Sequence, residues 1–199
     1  MSSQARNNGV FSFFEGLDES SRTLMVIIPH EDDEINLAGA VIYHARKLGI
    51  RVICVFTTNG DWKYPGFICL KEVIQALAVL GVPEKDIVFL GYPDGGVHGE
   101  RNVFVNGRKR PLIGRNGQSE TYGLDNHADF AMQYRGGENH QAYTWNGLVQ
   151  DIKDVILRDK PVMIMATDFD SHPDHRLCYL GFLHAMKSIL HTCHEYSPV

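Results

Sequence analysis

The 199-residue sequence contains no apolar run approaching the roughly 18 residues of a membrane span. Its first residues lack the hydrophobic core of a signal peptide, so a cytoplasmic protein is expected. Positive charge is not in excess. Lys and Arg number 19 against 24 Asp and Glu, a net charge of −5, and the basic field of a nucleic-acid binder is missing. The four cysteines, Cys54, Cys69, Cys178 and Cys193, form no C-x-x-C pair; reduced thiols are expected rather than a disulfide framework. Internal repeats, heptads, low-complexity tracts, a G-x-S-x-G elbow, a P-loop and a G-x-G-x-x-G fingerprint are likewise missing. What remains is ordinary globular composition, 44% apolar and 22% charged, at a length that suits one domain with room for a modest insertion.

The first 23 residues are polar apart from Phe11, Phe13 and Phe14, and read as an N-terminal extension, either mobile or strapped across the surface. Beyond them, short apolar runs alternate with helical periodicity. Leu24 to Ile28, Val52 to Phe56, Ile87 to Leu90 and Val162 to Ala166 have the continuous apolar character of buried strands. Helices are expected over Ile35 to Leu48, stopped by Gly49, over Phe67 to Leu80, stopped by Gly81, over Leu148 to Leu157, and over Pro173 to Leu190. This alternation predicts an α/β fold with a parallel sheet covered by helices on both faces. The stretch from about 91 to 147 interrupts the rhythm and holds 11 of the 19 glycines. It reads as an irregular loop insertion near the active site, with a short hairpin at Phe104-Val105 before Asn106-Gly107.

Two polar constellations follow predicted strands, where open α/β sheets bind their ligands. The first is Pro29-His30-Glu31-Asp32-Asp33-Glu34. All five residues from His30 to Glu34 can ionise, and the like charges of the four carboxylates are costly to pack together unless a divalent cation offsets them. The plain alternative is that Asp32 and Asp33 cap the following helix while Glu31 and Glu34 are solvated. The second constellation is Ser171-His172-Pro173-Asp174-His175. Pro173 suits the first helical position, and His172 and His175 share one face of the first turn. One of the two histidines can bind a metal while the other faces substrate, and Asp174 can brace an imidazole. The simplest ligand count is His30, Asp33 and His175. Three protein ligands leave a position for water, as in catalytic zinc sites, and Asp32 is then free to act as base.

These two loops resemble those of the PIG-L/LmbE-like de-N-acetylases. Thr57-Thr58-Asn59-Gly60-Asp61, Glu72 with Leu80-Gly81, and Leu90-Gly91-Tyr92-Pro93-Asp94-Gly95 extend the likeness over about residues 24 to 190. The resemblance implies a Rossmann-like deacetylase domain over 24–199 that cleaves the acetyl amide of N-acetylglucosamine-type sugars or conjugates. It implies Zn2+, or another divalent metal, on His30, Asp33 and His175, with Asp32 as general base. His172 would stabilise the oxyanion and donate a proton to the leaving amine, and Asp174 would orient the second histidine loop. Asp94 would line the sugar pocket, and Asn59 and Lys71 join it as substrate-binding candidates. The implied partner is a small amino sugar, with no nucleic acid and no membrane span; homo-oligomerisation is left open. Two positions depart from the family pattern, Glu31 where proline is usual and Cys69 where arginine is common. The chain also stops soon after its last helix, where family members often continue with further strands, as expected of a short or truncated member.

Two other functions fit part of the pattern. A repurposed, non-catalytic member would bind a sugar conjugate without turnover. A receiver-like domain would bind magnesium and accept a phosphoryl group on Asp94, leaving the histidines without a role. Within the insertion, His98, His127 and His140 are expected to be solvated. Tyr122, Tyr134 and Tyr143 are expected to pack the loop rather than form a sugar platform. The basic patch around Lys109-Arg110, from Arg108 to Arg115, reads as a solvated loop face.

Overall fold

The computed structural model describes residues 10–137 and 139–192. Residues 1–9 of the extension, the side chain of Phe13, and Cys193 lie outside the described set. After a 3-10 helix over Val10–Gly16 come β1 (Thr23–Ile28), α1 (Asp33–Lys47), β2 (Arg51–Thr58), α2 (Gly66–Val79) and β3 (Ile87–Tyr92). Two short helices follow, α3 (Val103–Asn106) and α4 (Phe130–Tyr134), then α5 (Trp145–Asp159), β4 (Met163–Ala166) and α6 (Pro173–Thr192). The four strands pair in parallel in the order β3-β2-β1-β4. A receiver-like domain needs β3 beside β1. Here β2 lies between them, which removes the phosphoacceptor alternative.

Strand alternation divides the core into two layers. Leu24, Val26 and Ile28 of β1 and Val52, Cys54 and Phe56 of β2 face Ala38, Ile42 and Ala45 of α1 and Leu70, Val73 and Leu77 of α2. Met25, Ile27, Ile53 and Val55 face the opposite way, onto Leu148, Ile152, Val155 and Ile156 of α5 and Leu177, Cys178, Ala185 and Ile189 of α6. The strands are apolar throughout because both faces are covered. Phe14 is buried against the α1/α2 layer, and Phe11 lies 5.4 Å, ring to ring, from His44. This part of the extension therefore straps onto the domain.

Chain direction across the sheet positions the site. The path runs β1 to β2 to β3 on one side, then returns to place β4 on the other side of β1. The carboxyl ends of β1 and β4 thus flank a switch in topology, where ligands collect. The amide of Thr167 donates to Ile27 O at 3.0 Å, continuing the pairing to this edge.

The insertion holds two departures from expectation. The hairpin at Phe104–Val105 is instead α3: Asn102 accepts from the amides of Phe104 and Val105 as its N-cap, and Gly107 ends it at φ −93°. The Asn106-Gly107 pair thus exits a helix, and the type I′ hairpin turn that Asn-Gly favours, which needs positive φ at both positions, does not form. His127 is buried rather than solvated, 2.9 Å from Ile87 O. His98 is exposed as expected. Tyr143 packs in the core, and Tyr134 lies under the Arg158 guanidinium at 3.9 Å. The three cysteines among the described residues, Cys54, Cys69 and Cys178, are free thiols.

Candidate active site

The β1–α1 turn and the start of α6 bring three imidazoles together. The His30 ring lies 4.9 Å from that of His172 and 5.7 Å from that of His175, and the latter two are 5.0 Å apart. One nitrogen from each lies within 4.8 Å of the others. Asp33 Oδ2 lies 3.1 Å from His30 Nδ1 and 3.4 Å from His175 Nε2. It also accepts the backbone amide of His30 at 3.1 Å. Burial opposes the Asp33 charge, but the two imidazoles outweigh it and hold its carboxyl far below the ordinary range. His30, Asp33 and His175 thus converge from two loops far apart in sequence, and imidazole with carboxylate is a donor set that suits zinc and its neighbours.

Each imidazole is fixed by a partner. His175 Nδ1 lies 2.7 Å from Asp170 Oδ2, which turns Nε2 toward Asp33. His30 Nε2 lies 3.2 Å from Asp174 Oδ2. Burial disfavours the His30 cation, yet the bonds to Asp174 and Asp33 raise its pKa well above the ordinary value. The backbone amide of Asp174 donates to His172 Nδ1 at 3.3 Å. Neutral His172 therefore carries its proton on Nε2. Burial, then the charge of His30, lowers the His172 pKa and keeps this ring neutral.

Asp174 is fully buried. It accepts from the Gly95 amide at 2.9 Å and from Asn102 Nδ2 at 2.8 Å, as well as facing His30. The imidazole it braces is thus on the first loop, not the second. Asp94 is largely buried, with Oδ1 accepting the Gly96 amide at 2.7 Å and Oδ2 3.8 Å from His30 Nε2. Burial, followed by the nearby Asp174 charge, pushes its pKa up to about 6 against the pull of His30.

Beside the imidazoles is a cavity of about 380 Å³ lined by His30, Glu31, Asp32, Asp94, His172 and, on the outer side, Trp62, Tyr64, Cys69 and Glu72. Asp32 is exposed to it and makes no capping hydrogen bond to α1. Glu34 is buried with both carboxylate oxygens unpartnered, and burial pushes its pKa up to about 7. Glu31 Oε1 is also buried without a partner. The reading of a capped helix with solvated glutamates therefore fails for Asp32, Glu31 and Glu34.

Two sequence candidates sit away from the cavity. Asn59 is fully buried and its amide donates to Gly91 O and Tyr122 O at 3.1 and 3.2 Å, tying β2 to the insertion. Lys71 lies over the Phe67 ring at 5.6 Å. Cys69 and Glu72, three apart, share the α2 face that meets the cavity, and residue 71 is turned off that face by helical geometry. Neither residue lines the cavity. Conversely, Asp170, Asn102 and Trp62 were not singled out by sequence reasoning. Trp62 follows the Asp61 turn directly, and Asp170 precedes the histidine loop, but neither forms a recognisable pattern alone.

The family described as PIG-L, GlcNAc-PI de-N-acetylase, matches residues 25–186. Among solved structures, an N,N'-diacetylchitobiose deacetylase from Pyrococcus horikoshii shares 20% identity at a TM-score of 0.54, over 88% of this chain and 52% of its own. GalB, the 4-carboxy-2-hydroxymuconate hydratase of Pseudomonas putida KT2440, shares 14% at 0.50, over 89% and 60%. A zinc-inhibited form of the teicoplanin deacetylase Orf2 shares 18% at 0.50, over 83% and 64%. The chain thus spans between about half and two-thirds of the length of these structures, and at such identities the likeness concerns the fold.

Proposed function

Because the chain belongs to the PIG-L, GlcNAc-PI de-N-acetylase, family, we propose that it hydrolyses the acetyl amide of an N-acetylglucosamine-type sugar or conjugate. The products are acetate and a free amine. The observation that carries this reading is the convergence of Asp33 Oδ2 with His30 Nδ1 and His175 Nε2, at the edge of a cavity that Asp32 and His172 also line. A divalent cation, zinc by preference, would be held by His30, Asp33 and His175, where it supplies a Lewis acid that acidifies water and polarises a carbonyl.

The chain's own groups divide the remaining work. Asp32, exposed to the cavity and free of helix-capping duty, accepts a proton from the attacking water. The water oxygen forms a bond to the acetyl carbon, and the C–N bond breaks. The proton passes to the departing nitrogen from Asp32 rather than from His172, whose neutral ring keeps its own proton, so the amine leaves neutral. His172, with its proton on Nε2, donates a hydrogen bond to the oxygen that becomes negative during attack. Asp174 and Asp170 hold His30 and His175 in place and take no part in proton transfer.

The Asp32→Asn variant separates binding from chemistry. We expect it to retain metal, measured by elemental analysis, while acetate release falls at least about 100-fold. Turnover near the wild-type rate would remove Asp32 from the base role. The hydratase on this fold is the reason to read acetate directly, since water addition to a double bond releases none.

A further inference from the structure

Next to the metal-side cavity is a second open cavity of about 380 Å³, lined by Trp62, Lys63, Arg101 and Arg115. We propose that it binds an oxyanionic group, phosphate or carboxylate, carried by the substrate sugar. Its role as part of the substrate site rests on the deacetylase reading, whereas its affinity for an oxyanion does not.

Three cations converge here with no carboxylate in the lining. Among the described residues, none of Lys63, Arg101 and Arg115 forms an ion pair. Other arginines of the chain behave differently: Arg51 meets Asp86 and Asp159, and Arg135 meets Asp154. Unpaired like charges around one hollow repel, and a bound anion relieves that repulsion. Guanidinium forks match the oxygen spacing of phosphate and carboxylate.

The hollow is held in shape by Trp62. The Arg101 guanidinium carbon lies 4.7 Å from the centroid of its ring, and stacking leaves the guanidinium edge free to donate. Arg115 Nη1 donates to Trp62 O. The indole packs so closely on Gly96 that a Cβ there would fall 2.3 Å from the ring, and Gly96 has φ +71°. Position 96 thus admits the indole only as glycine.

Trp62 and Lys63 line both cavities. Besides the shared Lys63, the inner one carries Glu31, Asp32, Glu72 and Asp94, and the outer one carries Arg101 and Arg115. A sugar with its acetamide at Asp32 and His172 and an anionic substituent at Arg101 and Arg115 matches this change of sign. The reverse orientation sets the anion on the acidic side, beside Asp32 and Glu72, and away from Arg101 and Arg115. Arg115, at the end of the basic stretch read as a solvated loop face, therefore has a specific place. Arg108, by contrast, stacks on Phe104 at 4.2 Å, outside the cavity lining.

The test titrates inorganic phosphate into the purified chain by calorimetry, comparing wild type with the R101A/R115A double variant and with R108A. The expected result is saturable binding weakened at least tenfold in the double variant and within threefold of wild type in R108A, with all three folded by circular dichroism. No phosphate binding by wild type, or a double variant within threefold of it, overturns the proposal. A second arm measures acetate release from N-acetylglucosamine, its 1-phosphate and N-acetylmuramic acid. A KM at least tenfold lower for the phosphate or for the carboxylate compound, abolished in R101A/R115A, identifies the group recognised. Equal KM values for all three overturn the subsite role. Release from none of them counts against the deacetylase reading, and calorimetry alone then decides the anion site.

Discussion

Asp170 illustrates how a residue acts through a neighbour. Its carboxylate is half exposed, yet its 2.7 Å contact with His175 Nδ1 fixes which imidazole nitrogen faces Asp33. A carboxylate in this relation to a metal-binding histidine typically contributes about 10–100-fold in metal affinity. Asp170→Asn should lose affinity in that range, read by chelator competition, while the fold remains intact. Unchanged affinity would show that His175 needs no such support. Other residues were legible from sequence, namely His30, Asp32, Asp33, His172 and His175, because each lies in a short polar string directly after an apolar strand. Asp174 was named, but its partner was not. It meets His30, 144 residues away, and no local pattern reports a contact of that range. Asn59 and Lys71 lie outside the cavity lining, and sequence does not show this, because position after a strand or on a helix does not tell which way a side chain turns.

At the scale of elements, the strands and the four long helices follow from buried apolar runs, 3.6-residue periodicity and terminal glycines. Gly49 and Gly81 do stop α1 and α2, at φ +75° and +82°. The insertion was less legible because its order comes from side-chain bonds rather than periodicity. Asn102 is the clearest case. Its carbonyl oxygen caps α3, and its amide donates to Pro173 O at 3.0 Å and Asp174 Oδ1 at 2.8 Å. Asn102→Ala should cost at least the roughly 0.5–2 kcal/mol of a lost cap, measured by denaturant unfolding. It should also weaken metal binding, since Asp174 loses one of the bonds that aim it at His30. Lost stability with full metal affinity would confine Asn102 to the cap.

α5 offers a pH-dependent check. Asp151 is buried in it and accepts from Tyr92 Oη at 2.6 Å. Arg135 Nη2 lies 2.6 Å from Asp151 Oδ1, close enough to attract by charge but not aligned as a hydrogen bond. Burial outweighs both and pushes the carboxyl up to about 7, against about 3.9 in an unfolded chain. The folded state holds this proton more tightly. Its contribution to stability is therefore complete below about pH 4 and is lost as pH rises through about 7. Relative to Asp151→Asn, the wild type should lose stability across that window in chemical denaturation. Parallel curves for the two proteins would contradict this.

Across the whole molecule, two helical layers cover a four-stranded parallel sheet, and the return of the chain to place β4 beside β1 brings the two histidine loops to one edge. Neither loop forms the site alone: Asp33 comes from the first and His175 from the second. The acidic inner cavity and the basic outer one share the Trp62 wall, so the same edge that gathers His30, Asp33 and His175 also carries the proposed oxyanion site. The most direct measurement is acetate release from N-acetylglucosamine conjugates by the chain as purified, after chelation, and after zinc is restored, with metal content followed throughout. The account predicts about one metal per chain, loss of acetate release with the metal, and recovery with zinc. Acetate release that persists when the chain is metal-free would contradict it.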